Sequence, residues 1–194
     1  MLNSKSILIP GLFSAQGIAR ILMLALMMTC STALAMDLFA KTESREVKAF
    51  NEIVVGGLVN VEIKQGEQAG IEVSAYGIDL EDIITKVKDG ILIVTTSGNH
   101  RGESISIEVT YETLTAIKTS GAATIKTDGP VIADSLIIEI TDSGDAKLEL
   151  DVKELNVQMQ GNGNLQLKGL AHVQNFKSHG GGGRLDNSDL RVGQ

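Results

Sequence analysis

The sequence predicts an all-β chain: a single-domain parallel β-helix or β-solenoid-like fold with one short helix. Three observations lead there. A glycine-centred phrase recurs, apolar residues alternate strictly around each copy, and the 194 residues include 21 glycines but only two prolines, a composition rich in tight turns. The phrase is an apolar residue, three positions, a glycine, then small or apolar residues at the second and fourth positions after it. It occupies residues 53–61 around Gly56-Gly57, 117–125 around Gly121, 140–148 around Gly144, and 159–167 around Gly161 and Gly163, with a degraded copy at 181–185. Taking Gly121, Gly144, Gly163 and Gly181 as equivalent gives spacings of 23, 19 and 18, the first stretched by the Gly129-Pro130 turn. Repetition at about twenty residues predicts coils stacked about 4.8 Å apart. Ile125, Leu148, Leu167 and Leu185 should then form one apolar column. Glycine at the phrase centre suits a corner needing positive φ or lacking room for a side chain.

The elements follow in order. Residues 1–35 carry no acid, and their only charges are Lys5 and Arg20. An apolar run from Ile21 to Met28 leads to Ala33-Leu34-Ala35, the small-x-small pattern of a signal peptidase site, so cleavage is expected between Ala35 and Met36. The run is short for a membrane span. Cys30, the one cysteine, would leave with this segment; Met27-Met28-Thr29 before it makes a poor lipidation motif. The remaining chain would have no disulfide or thiolate site and would be two charges more negative than the −7 of the full sequence. Residues 36–46 form a lead-in and 47–194 the domain.

Within it, Val59-Val61-Ile63 and Ile71-Val73-Ala75 read as strands on either side of the turn 65–70. Leu80, Ile83, Ile84 and Val87 fall at helical spacing with Asp79 as N-cap, which places the short helix there. After the turn Lys88-Asp89-Gly90 come strands at 91–94 and 105–109. Further strands follow around Leu136-Ile138-Ile140 and Leu155-Val157-Met159.

Composition and spacing exclude several functions. An acidic chain with 3% aromatic residues is unsuited to nucleic acid, to base stacking or to an extended sugar-stacking platform. His172 and His179 flank the run Gly180–Gly183 and His100 sits in a polar loop, but no third ligand has matching spacing, so no metal is expected. Asp142 and Asp145 bracket one turn, and Asp186 and Asp189 another; acidic turns on a solvated rim account for both better than paired catalytic carboxylates do. Ser120 and Ser143 precede glycines without the strand–elbow–helix setting of a hydrolase. Gly161-Asn162-Gly163 has no helix after it to complete a phosphate loop. Neither a catalytic residue nor a cofactor site is expected.

Phe50-Asn51-Glu52-Ile53, leading into Val55-Gly56-Gly57 and Val59–Gly66, resembles the DUF2807 family, the head GIN domain of putative auto-transporter adhesins. The resemblance continues in Val87-Lys88-Asp89-Gly90 and in Leu114–Gly121, and covers about residues 47–192. It implies an exported, mostly β, solenoid-like domain of bacterial envelopes with an adhesin-type role. Two departures stand out. Tyr111-Glu112-Thr113 precedes Leu114 where such domains often have proline, and the sequence stops at Gln194 where they usually continue through another rung.

The expectation is an exported, non-catalytic envelope protein acting as an adhesin-like binding module, in the periplasm, on the outer-membrane surface or secreted. Its partners would be an envelope or surface protein or a glycan, not nucleic acid, with no membrane span in the mature chain. Self-association through an uncapped C-terminal rung is a further expectation. The alternative is a periplasmic accessory protein of envelope stress or assembly. A carbohydrate-active β-helix enzyme would need carboxylates clustered with basic groups, whereas Arg45, Arg101, Arg184 and Arg191 are scattered over unrelated segments.

Overall fold

The computed structural model describes residues 40–98 and 104–193. Among the described residues thirteen strands account for nearly all regular structure: β1 (Lys41–Glu46), β2 (Glu52–Val55), β3 (Asn60–Gln65), β4 (Gly70–Tyr76), β5 (Ile83–Lys88), β6 (Ile91–Thr96), β7 (Ser104–Tyr111), β8 (Ala116–Thr119), β9 (Thr124–Thr127), β10 (Val131–Asp142), β11 (Asp145–Gly161), β12 (Asn164–Ser178) and β13 (Arg184–Val192). The fold is all-β. Each expected strand is present, and each buries alternate residues, as Ile105, Ile107 and Val109 do in β7.

The strands form one sheet with an eleven-strand path, β1-β4-β7-β3-β9-β11-β10-β8-β2-β6-β5, to which β12 and β13 add beside β11. Most pairings are parallel; among the described residues only β1–β4, β4–β7 and β5–β6 are antiparallel. The sheet curls. Arg45 of β1, at one end of the path, donates to Ile83 O at 2.6 Å and to Thr85 Oγ1 at 2.9 Å in β5 at the other end. It also donates to Leu80 O at 2.7 Å. The inward side chains meet in one apolar core that includes Ile53, Ile63, Leu92, Ile107, Ile117, Leu136 and Ile138, each with under 2% of its surface exposed. Tyr111 lies in it too, and burial pushes its phenol up to a pKa of about 12.

Two expectations need correction. The short helix is absent: Leu80–Asp82 form a single 3₁₀ turn, and Ile83–Lys88 are strand β5. Ile83, Ile84, Thr85 and Val87 are β-branched and favour extended backbone, and β6 supplies a full antiparallel partner. Between them Asp89 (φ 52°) and Gly90 (φ 80°) make a two-residue turn with both centres left-handed. Asp79 stands at the N-cap position of that turn without a side-chain capping bond; its carboxylate pairs with Lys41 at 2.8 Å.

The strands expected on either side of the turn 65–70 are β3 and β4, and β7 lies between them. Both pair with β7, one parallel and one antiparallel.

The predicted apolar column is also out of register. Ile125 is followed by Ala146, Leu165 and Leu185, while Leu148 and Leu167 stack beside that column. Gly144 is not equivalent to Gly121. The residue stacked on Gly121 is Asp142, which takes the same left-handed conformation, φ 59° against 69°. Gly144 is a glycine for another reason: a Cβ there would stand 2.9 Å from the Cβ of Thr119.

Ala33, Ala35 and Met36, the expected cleavage site, lie outside the described residues, as does His100. Among the described residues no helix is long and apolar enough to cross a membrane.

Candidate binding surface

Because strands alternate, every inward core residue is matched by outward neighbours, and parallel register lines these up across the sheet. One face is built from β1, β4, β7, β3, β9, β12, β13 and the start of β11. Across it runs a continuous row: Thr42, Ser74, Ser106, Asn60, Thr124, Asp145, Asn164 and Arg184. The row two residues along is charged, with Glu72, Glu108 and Glu62 side by side, followed by Lys126 and Lys147. Lys126 pairs with Glu62 at 3.1 Å, and Lys64 with Glu108 at 3.6 Å. These pairs are solvent-exposed and contribute little stability, on the order of 0 to 1 kcal/mol.

The second face is carried by β5, β6, β2, β8 and the later parts of β10, β11 and β12. Its row Lys86, Ile93, Val54, Lys118, Glu139, Gln158 and Lys177 passes from apolar to polar along the stack. Lys118 lies between Glu52 at 3.5 Å and Glu139 at 3.8 Å. Beside it, Asn175 Nδ2 donates to Asn156 Oδ1 at 3.1 Å, and Asn156 donates to Glu154 at 3.0 Å. The polar half therefore presents amides one strand spacing apart, each offering donors and acceptors to a ligand laid flat on the sheet.

At the corner between the faces, pairing skips one residue, at Asp134, Lys153 and His172. Lys153 Nζ sits 2.6 Å from Asp134 Oδ1. That hydrogen bond and its charge hold the Asp134 carboxyl below its ordinary range and Lys153 above its own.

The residues singled out from the sequence do not converge. His172 is at this corner, whereas the His179 backbone N–H donates to Met159 O past the far end of β12, roughly 23 Å away at 3.3 Å per residue. Asp142 accepts from the Gly121 N–H at 3.2 Å, and Asp145 accepts from Asn164 N and Nδ2 at 2.7 and 2.9 Å. Both carboxylates tie one coil to the next. Asp186 accepts from the Ser188 N–H and hydroxyl, which lowers its pKa, while Asp189 pairs in register with Lys168. Ser143 donates its N–H to Gly121 O as part of the same stack. The run around Gly161 and Gly163 has no room for a side chain, since each Cβ would run into a backbone oxygen, of Asp142 and Gly144 respectively. Among the described residues no group of three or more His, Cys, Asp or Glu comes together to hold a metal. The Arg45 clamp is a structural contact that sequence reasoning missed; a half-buried arginine on a short polar strand carries no periodic signal.

A curled, mostly parallel sheet with ordered outward rows places the chain in a class, that of all-β proteins whose largest feature is an extended side-chain surface. Within that class it belongs to the DUF2807 family, described as putative auto-transporter adhesin, head GIN domain, which it matches over residues 49–194. A crystal structure of a putative adhesin from Bacteroides fragilis is similar, with TM-score 0.71 and 24% identity over 80% of this chain and 73% of that one. A putative adhesin from Parabacteroides distasonis gives TM-score 0.65 at 19% identity, covering 80% and 76%. A putative lipid binding protein from the same species gives 0.63 at 16%, with the same coverage. No curated protein matches the sequence.

Proposed function

We propose that this chain is an exported, non-catalytic, adhesin-like interaction module that lays its outward rows against a protein or glycan of the cell envelope or surface. The observation that carries this reading is the register itself: eight strands bring Thr42 through Arg184 into one row, and the amides of β11 and β12 form another array. Such a surface suits repeated, individually weak hydrogen bonds rather than convergent chemistry at one point. The family description supports an adhesin-like role and, with it, export.

The finer architecture is a β-solenoid coiled at about twenty residues. Its support is that 21 residues separate Ala116 from its parallel partner Ile137, 19 separate Ile137 from Asn156, and 19 separate Asn156 from Asn175.

Protease shaving of intact cells that carry a C-terminally tagged chain tests the location, with lysed cells as control. Loss of tag from intact cells supports the surface-binding reading. Protection until lysis moves the domain to the periplasm and favours an accessory role in envelope stress or assembly. Turnover of an acidic polysaccharide by purified chain, abolished in Asp142→Ala and Asp145→Ala, would refute the non-catalytic reading.

A further inference from the structure

The charged row on the first face changes sign along its length. Glu72, Glu108 and Glu62 stand side by side, and the next two strands bring Lys126 and Lys147 opposite each other. Like charges directly opposite on a sheet repel. Glu62 offsets Lys126, whereas Lys147 makes no ion pair among the described residues. Two hollows open at this basic end and share Lys147 and Gln166. One, of about 290 Å³, is bounded by Lys126, Lys168 and Asp189; the other, of about 340 Å³, by Asp145, Asn164, Arg184 and Asp186. The backbone shapes them. Beyond Lys126 the β9–β11 ladder stops, and the Glu149 N–H donates to Thr127 Oγ1 at 2.9 Å. On the far side β13 bulges, so that the stretch from Asp186 to Asp189 lies opposite the shorter one from Gln166 to Lys168.

We propose that the two hollows hold neighbouring units of an acidic glycan, with a carboxylate or sulfate resting between Lys126 and Lys147. The inference rests on the interaction-module reading and specifies its ligand. The mixture of groups selects the class. A ligand with negative charge alone would meet Asp145, Asp186 and Asp189, which repel it. An acidic sugar carries hydroxyl donors beside its anion. Oδ1 of Asp145 and of Asp186 is taken within the protein, and Oδ2 of each is left to accept such hydroxyls. The Gln166 amide, in the wall between the hollows, offers both donors and an acceptor. Each hollow lies at the small end of the range for ligand sites, enough for one sugar ring. Recognition by charge and hydrogen bonds needs no aromatic platform, which suits a chain with 3% aromatic residues.

Trigalacturonate, sialyllactose and a sulfated disaccharide are the probes, titrated by calorimetry into the full chain at low salt. At least one should bind, less tightly as salt rises. Its affinity for Lys147→Gln should fall at least about tenfold. Removing one of two opposed lysines should leave Tm unchanged or raised, which separates loss of a ligand contact from loss of the fold. Lys48→Gln, between β1 and β2, should bind as the parent does. Neutral galactotriose bound as tightly as the acidic sugars, binding unchanged in Lys147→Gln, or no binding of any acidic probe would overturn the inference. So would triglutamate bound as tightly as the sugars, which would make the hollows an acidic-peptide site. Washed cell envelopes distinguish this failure from that of the wider reading. Retention on them that is equal for Lys147→Gln, with no probe bound, overturns the glycan site and leaves the interaction module standing; no retention and no probe binding refute both.

Discussion

Thr119 sits on the inner side of β8 with 2% of its surface exposed, and its hydroxyl has no hydrogen-bond partner. Its register neighbours are Val55 on one side and Ile140 on the other, both fully apolar and buried. A buried, unsatisfied hydroxyl costs about 1 to 3 kcal/mol, and the nearly isosteric valine removes that cost while keeping the β-branch that strands prefer. Gly144 packs directly against the Thr119 side chain, so the added methyl volume takes back part of the gain. The expected net for Thr119→Val is a stabilisation of about 1 to 2 kcal/mol, or roughly 3 to 6 °C in Tm for a domain of this size. Thr119→Ser keeps the unpaired hydroxyl, removes the methyl and should be less stable than the parent. Thermal and urea unfolding of the three proteins, followed by far-UV circular dichroism, gives the order directly. A valine variant less stable than the parent would refute the reasoning, because it would mean that the hydroxyl has a partner or that Gly144 leaves no room for a methyl.

Three further outcomes can be measured on the same preparation. Gly163→Ala drives a Cβ into the Gly144 carbonyl, part of the backbone stack, and should cost about 3 kcal/mol or more, read as loss of the cooperative urea transition. Arg45→Ala removes charge-assisted hydrogen bonds to the Leu80 and Ile83 carbonyls; it should cost about 1.5 to 3 kcal/mol and speed amide exchange in Ile83–Lys88 before the rest of the sheet. Tyr111 has a phenol pKa raised to about 12 by burial, above the ordinary value of 10.0 that applies once the chain unfolds. The folded state therefore holds that proton more tightly, so stability is constant below pH 10 and declines as pH rises toward 12. In a Tyr76→Phe background the tyrosinate absorbance reports Tyr111 alone, and it should appear together with unfolding.

Alternation carried most of the fold in the sequence. Val59-Val61-Ile63, Ile105-Ile107-Val109 and Leu155-Val157-Met159 each bury the residues their period assigns, because one face of a curled sheet has no other place for them. The stretch 80–87 misled because its apolar residues satisfy both periods. Ile83 and Val87 lie on the inner side of a strand, and Leu80 packs on the core from the preceding turn. Composition settles the ambiguity: four β-branched residues followed by Asp89-Gly90 are the pattern of a hairpin arm. Strand order was not legible at all. Nothing local says that β2 and β3 lie between the β6–β7 and β8–β9 levels, since each of these strands is apolar on its inner face and any order buries them equally.

The outward surface was legible in composition but not in register, and the glycines explain the difference. Gly121 and Gly144 look alike in the sequence because each occupies the centre of the same phrase. One is selected by backbone conformation, φ 69°, and the other by the Thr119 side chain packed against it. Asp142 fills the left-handed corner that the phrase would give to glycine, and its carboxylate accepts the Gly121 N–H below it. Aligning the phrase on glycine alone therefore shifts this coil by two residues. A two-residue shift keeps every side chain on its correct face, so the core prediction survived and Leu148 stacks on Leu167 as expected, while the partners of Ile125 and Leu185 were wrong. The outward rows depend on those partners. Asp145 beside Asn164, and Asn156 beside Asn175, become neighbours only at offsets of 19, set by which residue can take the left-handed corner and not by which residue is glycine.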